Sequence, residues 1–141
     1  MSTIVDQTEL LTSLKTYFGY DSFRSNQQEI IETVLSGKDA IVIMPTGGGK
    51  SICYQLPAMH FKGLTLVISP LIALMKDQVD GLNANGIKAD FYNSSQQAED
   101  QQEILSKAAN GELKLLYVAP ESLSGLSPLL SENYISCIAI D

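Results

Sequence analysis

Hydrophobic positions along the chain follow two patterns, one typical of helices and one typical of buried strands. Apolar residues recur at helical spacing within residues 10–18 and 30–35, and Gly19 and Gly37 follow these segments as stop signals. Apolar runs of strand length, one of them weak, occupy residues 40–44, 64–68, 89–92, 115–118 and 135–140. Helical patterns at 71–83 and 95–109 separate them. This alternation predicts an α/β fold with a mostly parallel sheet.

Length and composition predict one ordinary globular domain. The chain has 141 residues, 45% hydrophobic and 18% charged, which excludes a disordered tail or a fibre. Residues 63–75, the longest uncharged run, are too few to span a membrane, and Asp6 and Glu9 interrupt the N-terminus where a secretory signal is apolar. Cys53 and Cys137 form no C-x-x-C pair. We therefore expect an intracellular, non-secreted protein in a reducing compartment with no membrane contact.

Charge does not predict a nucleic-acid partner. The formal net charge is −7, and the nine basic residues are scattered along the chain. Tight non-specific binding of nucleic acid needs several cations on one face. A nucleic-acid function must therefore rest on motifs.

The strongest local signal is MPTGGGKS at residues 44–51, between an apolar run and a helical pattern. Glycines allow backbone N–H groups to turn inward, and the following helix adds its positive end, so the segment predicts a phosphate-binding loop. Lys50 can reach the β- and γ-phosphates of ATP, and the Ser51 hydroxyl can bind Mg²⁺. The residues assigned to the nucleotide here are Thr46, Gly47, Gly48, Gly49, Lys50 and Ser51. Met44 stands where the general pattern has glycine, and a plain glycine turn before a helix is the alternative.

Asp141 follows the apolar run at 135–140 and supplies the second element of such a site. A carboxylate at the end of a strand holds Mg²⁺ in phosphoryl-transfer sites, usually through water. We expect Lys50 and Asp141 to be the catalytic residues and Ser51 and Asp141 the metal ligands. An Asp that caps the segment after it is the alternative.

Five segments, in order, resemble the motifs of RecQ-type DNA helicases of superfamily 2. Residues 14–31 resemble the upstream nucleotide motif, 44–51 the phosphate loop, 69–79 motif Ia, 117–123 motif Ib, and 138–141 the opening of the D-E-A-H box. The resemblance covers nearly the whole chain. It implies a partial N-terminal RecA-like ATP-binding domain over residues 1–141, a parallel-sheet P-loop NTPase truncated after the Walker B strand. The parent activity it implies is ATP-driven 3′-to-5′ unwinding of DNA in recombination and repair.

The resemblance also implies residue roles on the nucleotide and on DNA. Gln27 would pair with adenine, as carboxamides do in DNA readout, and Tyr20 and Arg24 would pack on the two purine faces. The alternatives are a core Tyr20 and an Arg24 in a surface ion pair. Ser69 and Pro70 would contact the backbone of single-stranded DNA. In the helix that follows, we expect core positions at Leu71, Leu74, Met75 and Val79.

Two positions depart from the family pattern, and three side chains receive structural roles. Ser122 stands where motif Ib usually has arginine, and Ser25 stands where the upstream motif commonly has proline. The first change could weaken an ion pair or a DNA contact. We expect His60 at a helix end, facing solvent or capping it, and both cysteines as small core residues.

Several parts that the family needs for hydrolysis do not occur in the 141 residues. They include the glutamate after Asp141 and the second RecA-like domain with its arginine finger. We expect the chain to bind nucleotide with Mg²⁺ without unwinding DNA, and to associate or partly unfold because apolar strand and helix faces stay uncovered. Another P-loop NTPase or kinase, and a non-catalytic nucleotide-binding module, remain alternatives.

Overall fold

The computed structural model describes residues 5–24, 26–43, 49–131 and 134–141. The chain divides into two compact units, Met1–Phe61 and Lys62–Asp141. Within the described residues no helix is both long and apolar enough to cross a bilayer.

The first unit is helical. Its α-helices are α1 (Gln7–Ser13), α2 (Gln27–Leu35) and α3 (Ile52–Ala58). The Asp6 side chain caps α1 by accepting the Glu9 N–H over 2.8 Å. The helix continues as a π-helical segment, Leu14–Phe18. It ends at Gly19, which has the left-handed conformation with φ 76°. The predicted helix at 10–18 and its glycine stop are confirmed.

Residues 40–43 do not form the strand predicted for 40–44, so that prediction is wrong for the four residues that the structure describes. Ile41 and Ile43 are 97% and 94% exposed. An apolar run becomes a strand only where a neighbouring strand accepts its backbone hydrogen bonds, and none of the described strands pairs with these residues.

The second unit contains a four-stranded parallel sheet with the order β2-β3-β1-β4. Its strands are β1 (Leu64–Ile68), β2 (Ala89–Tyr92), β3 (Leu115–Val118) and β4 (Ile135–Ile140), and its helices are α4 (Ile72–Ala84), α5 (Ala98–Ala109) and α6 (Ser127–Ser131). The four strands match four of the predicted apolar runs, and the predicted fold class is confirmed. A 3₁₀ segment, Pro120–Leu126, leads into α6 and has no counterpart in the sequence prediction.

One face of the sheet carries a continuous hydrophobic core. Leu64 and Leu66 of β1 lie beside Leu116 and Val118 of β3 in this cluster, and Ile104 of α5 covers them. The β1–β4 pairing shifts register between Leu64 and Thr65. At this bulge the Gly63 N–H donates to Ser136 Oγ over 2.9 Å, and a Cβ at Gly63 would lie 2.6 Å from the Tyr134 carbonyl oxygen. Glycine is therefore required where the two strands first approach.

Helix boundaries follow the predictions with one exception. Helix α5 ends at Ala109 before the predicted Asn110-Gly111 stop, but it begins at Ala98 with Gln97 at the N-cap instead of Ser95. The Ser95 hydroxyl and N–H donate instead to Asn93 Oδ1, which is the local turn that a Ser and an Asn side chain favour over a helix.

Candidate nucleotide-binding site

The side chain of Gln27 connects two segments of the first unit that lie far apart in sequence. Its Oε1 accepts the Arg24 N–H over 2.8 Å, and its Nε2 donates to the Gly49 carbonyl over 3.0 Å. Gln27 is only 2% exposed. A buried carboxamide with a backbone partner at each end is held in one orientation. The structure thus brings the predicted adenine residue to the end of the phosphate loop.

Gly49 is the residue on which this contact depends. Its φ is +79°, in the left-handed region, and a Cβ there would collide with Gln27 Nε2. Glycine is the residue that permits both the dihedral angle and the close approach. Gly49, with its left-handed backbone, comes directly before the first turn of α3, which suits the approach of a phosphate group, so the described residues fit a nucleotide.

Tyr20 and Arg24 lie against each other. The Arg24 guanidinium carbon is 5.9 Å from the centroid of the Tyr20 ring, a cation–π arrangement. Tyr20 is 48% exposed, which contradicts the alternative of a core role.

The described end of the phosphate loop leads directly into α3. The Gln55 N–H donates to the Ser51 carbonyl over 2.9 Å, and the Cys53 N–H donates to the Lys50 carbonyl over 3.1 Å. These bonds form the first turn, as predicted. Lys50 is exposed and Ser51 half-buried. Thr46, Gly47 and Gly48, the other loop residues assigned to the nucleotide, lie outside the described residues.

Asp141 and Ser69 lie together at the carboxyl edge of the sheet in the second unit. The Asp141 N–H donates to the Ile68 carbonyl over 2.9 Å, and the Ser69 N–H donates to the Val118 carbonyl over 3.0 Å. Ligands of open parallel α/β sheets bind at this edge. No group of three or more His, Cys, Asp or Glu side chains in the described structure could hold a metal. Mg²⁺ needs fewer, since it is usually held by one or two carboxylates together with phosphates and water.

The start of α4 differs from its prediction. Met75 and Val79 are buried, as expected, but Leu71 and Leu74 are 56% and 48% exposed, so their assignment to the core is wrong. Leu74 lies about 100° around the helix from Met75, away from the buried stripe of Met75, Val79 and Leu82, whereas Leu71 is the N-cap residue and precedes the first turn of α4. Ser69 itself is 5% exposed, and its Oγ accepts the Leu71 N–H over 3.2 Å.

Sequence reasoning missed two buried hydroxyls and one polar contact. Thr65 Oγ1 and Ser122 Oγ are buried and make no hydrogen bond within the described structure. His60, expected at a helix end facing solvent or as a cap, instead places Nε2 2.9 Å from Ser13 Oγ. These two residues are 47 positions apart, so no local pattern could have paired them.

The cysteine assignments differ in outcome. Cys53 is buried, as expected for a small core residue, and burial raises its pKa above the ordinary value of 9.0. Cys137 is only half-buried on β4, so the core assignment does not hold for it. The difference follows the sheet position, because β4 is the last strand of the sheet among the described residues.

The parallel sheet, the helices between its strands and the left-handed Gly49 before α3 are consistent with a RecA-like P-loop class of α/β protein. A sequence model of DEAD/DEAH box helicases matches residues 24–141, and the chain belongs to this family.

Similar proteins agree with the RecQ resemblance. The chain is 55% identical over its whole length to the ATP-dependent DNA helicase RecQ of Haemophilus influenzae. It is 57% identical over 93% of its length to RecQ of Pasteurella multocida, and 42% identical over 94% to the ATP-dependent helicase SGS1 of Saccharomyces cerevisiae. The chain spans only 23%, 21% and 10% of the lengths of these three relatives.

Proposed function

We propose that this chain is the ATP-binding part of an ATP-dependent DNA helicase that translocates 3′-to-5′ and acts in DNA recombination and repair. By itself the chain binds nucleotide and does not unwind DNA. The observation that carries the proposal is the contact between Gln27 and Gly49, which joins the adenine motif to the phosphate loop. Membership of the DEAD/DEAH box helicase family and the names of the RecQ relatives support it.

The nucleotide roles divide between the two ends of ATP. Gln27 has two N–H donors and two acceptor lone pairs, so it can keep its backbone contacts and still offer a donor and an acceptor to adenine. Tyr20 and Arg24 supply flat surfaces for the purine. Lys50 neutralises the β- and γ-phosphates, and Ser51 and Asp141 are the residues that would hold Mg²⁺, which neutralises developing phosphate charge when bound.

The DNA role is assigned to the carboxyl edge of the sheet at Ser69 and Pro70. Pro70 is exposed, whereas Ser69 is buried with its hydroxyl turned to the start of α4. With a net charge of −7, this chain offers little electrostatic attraction to phosphate. We therefore expect DNA to bind the chain weakly and to need the second RecA-like domain of a longer parent.

A titration with a fluorescent ATP analogue and Mg²⁺ tests nucleotide binding. We expect saturable binding, its loss in Lys50→Ala, and undiminished binding in Lys38→Ala, which removes another exposed lysine of the same unit. Gln27→Ala should weaken ATP more than GTP, because only adenine offers the N6 and N7 pattern that a carboxamide reads. Equal affinity of wild type and Lys50→Ala for the ATP analogue would contradict the proposed nucleotide site.

Strand displacement and ATP turnover test the second half of the proposal. The 141-residue chain should release no strand from a 3′-tailed duplex and should show no DNA-stimulated hydrolysis. DNA-stimulated turnover by the purified chain would contradict the assignment of hydrolysis to residues outside it, while leaving nucleotide binding intact.

A further inference from the structure

A side-chain contact in the first unit, away from the phosphate loop, joins the end of α1 to the end of α3. Ser13, the last residue of α1, places Oγ 2.9 Å from Nε2 of His60, which follows α3. Ser13 is 9% exposed. Helix α3 has seven residues and is therefore about 10 Å long, with Lys50 before its first turn and His60 beyond its last. The contact thus lies at the end of α3 opposite to the proposed phosphate site.

The helical turn that follows Ser13 has an unusual geometry. Residues Leu14–Phe18 form a π-helical segment, whose hydrogen bonds span one residue more than those of an α-helix. Such turns are rare and are frequent at functional sites. The sequence of the segment, LKTYF, contains no glycine or proline, and each of its residues is compatible with an ordinary α-helix. We conclude that the wide turn is held by contacts at its ends, and Ser13 makes such a contact at the first end.

The wide turn determines the direction in which Tyr20 leaves the helix. Tyr20 follows Gly19, at which the helix ends. If the turn closed to α geometry, the extra residue would rotate the residues after it by about 100° and shift them by about 1.5 Å. Arg24 would not follow this rotation, because its N–H is held by Gln27 Oε1. The Tyr20 ring, whose centroid lies 5.9 Å from the Arg24 guanidinium carbon, would then lose this partner.

We propose that Ser13 and His60 are positioning residues for the purine. Their contact keeps the π-helical turn wide, and the wide turn holds Tyr20 opposite Arg24. This inference rests on the proposed nucleotide function and adds to it. The two flat surfaces for the purine are then fixed by separate contacts, since the Gln27 carboxamide holds the backbone of Arg24 and the Ser13–His60 contact holds the helix that carries Tyr20.

Competition against a fluorescent ATP analogue tests this role when ATP and inorganic triphosphate are compared as competitors. Ser13→Ala should weaken ATP at least about fivefold, which corresponds to the loss of one stacking contact between a base and an aromatic ring. It should leave inorganic triphosphate unchanged, because that competitor has no base. Thr12→Ala is the matched control, since Thr12 Oγ1 donates to the Thr8 carbonyl within α1 over 2.8 Å. This control should change neither affinity.

A one-residue deletion gives a result that a general loss of stability would not produce. Thr16 is exposed and lies in the middle of the π-helical segment. Deleting it removes the extra residue, so the turn closes to α geometry while Tyr20 keeps its direction. We expect the deletion variant to bind ATP like the wild type. The same deletion should restore the ATP affinity that Ser13→Ala loses.

A double-mutant cycle tests whether Ser13 acts through Tyr20. Tyr20→Ala should weaken ATP in the wild type and should cause no further loss in Ser13→Ala, because the ring is already displaced there. Additive effects of the two substitutions would overturn the proposal. The cycle alone decides if the deletion variant fails to fold.

Failure of the proposal and failure of the nucleotide site give different results. If the wild type does not bind ATP, both are wrong. If the wild type binds ATP and Ser13→Ala binds both competitors like the wild type, or loses affinity equally for both, the nucleotide site stands and the positioning role is wrong. A folded deletion variant that does not restore the ATP affinity of Ser13→Ala has the same meaning.

Discussion

Gln27 and Gly49, 22 positions apart, are joined by a hydrogen bond of 3.0 Å from the carboxamide nitrogen of the first to the carbonyl of the second. The same carboxamide accepts the N–H of Arg24. One side chain therefore fixes the backbone that leads from Tyr20 and Arg24 into α2 against the backbone that leads into α3. A change at either end of this contact should disturb both halves of the proposed site.

Gly49→Ala should reduce both stability and nucleotide affinity. An alanine at φ +79° costs about 1–2 kcal/mol in backbone strain, and its Cβ would collide with Gln27 Nε2. The matched control is Gly111→Ala, since Gly111 has φ +78° but no atom within 4 Å of the position that a Cβ would take.

Urea unfolding and ATP titration of both variants separate strain from contact. Both variants should lose stability from the strained backbone angle. Gly49→Ala should lose more stability than Gly111→Ala, and it alone should lose ATP affinity. If the two variants lose the same free energy of unfolding and both bind ATP normally, the close contact between Gly49 and Gln27 has no effect on stability or binding.

The Ser13–His60 contact should contribute about 1 kcal/mol to the stability of the first unit, the usual net value of a partly buried hydrogen bond. We predict a coupling energy of that size between Ser13→Ala and His60→Ala in a double-mutant cycle. The cycle is needed because His60 has further interactions that a single substitution would also remove. Strictly additive effects would show that the 2.9 Å approach adds no stability.

Much of the second unit was predictable because its strands are continuous apolar runs. Residues 64–68, 115–118 and 135–140 satisfy the pattern of a buried parallel strand, and each pairs as expected. The run at 40–44 has the same composition, yet Ile41 and Ile43 are almost fully exposed. An apolar composition favours a strand where a neighbouring strand is present to pair with, but it does not show whether such a neighbour exists.

In the candidate site, too, the sequence predicted the residue types but not their contacts. The sequence marks Gln27, Gly49 and Lys50 because their types and order suit a nucleotide. It does not reveal that Gln27 Oε1 is already bonded to the Arg24 N–H, or that Arg24 covers Tyr20. Such contacts depend on how a loop closes, and no periodicity encodes them.

Thr65→Val should stabilise the protein by about 1 kcal/mol. Thr65 is fully buried on β1, and its hydroxyl makes no hydrogen bond in the described structure, so folding removes the hydroxyl from water without compensation. Valine has nearly the same shape and favours strands. The shift in urea midpoint at unchanged slope measures the gain.

Thr33→Val provides the contrast for that experiment. Thr33 Oγ1 donates to the Glu29 carbonyl over 2.8 Å, so the same substitution there removes a hydrogen bond and should give no gain. Destabilisation by Thr65→Val would show that the Thr65 hydroxyl finds a partner in solution. Equal stabilisation by both substitutions would show that the gain does not come from an unpaired hydroxyl.

The Cys53 thiol should make stability depend on pH at the alkaline end. Burial raises its pKa above the ordinary value of 9.0, so the folded state holds this proton more tightly than the unfolded chain does. The resulting stabilisation is complete below pH 9.0 and is lost as the pH rises through 9.0 toward the folded value. Urea unfolding of wild type and Cys53→Ala at about pH 8 and about pH 10, both in a Cys137→Ser background, isolates this effect from lysine and tyrosine titration. We expect wild type to lose more stability between the two pH values than Cys53→Ala.

Thiol labelling gives an independent measure, since Cys53 should react more slowly than half-buried Cys137 at about pH 8. Equal pH dependence of the two proteins, together with equal labelling rates of the two thiols, would show that Cys53 is not buried in solution.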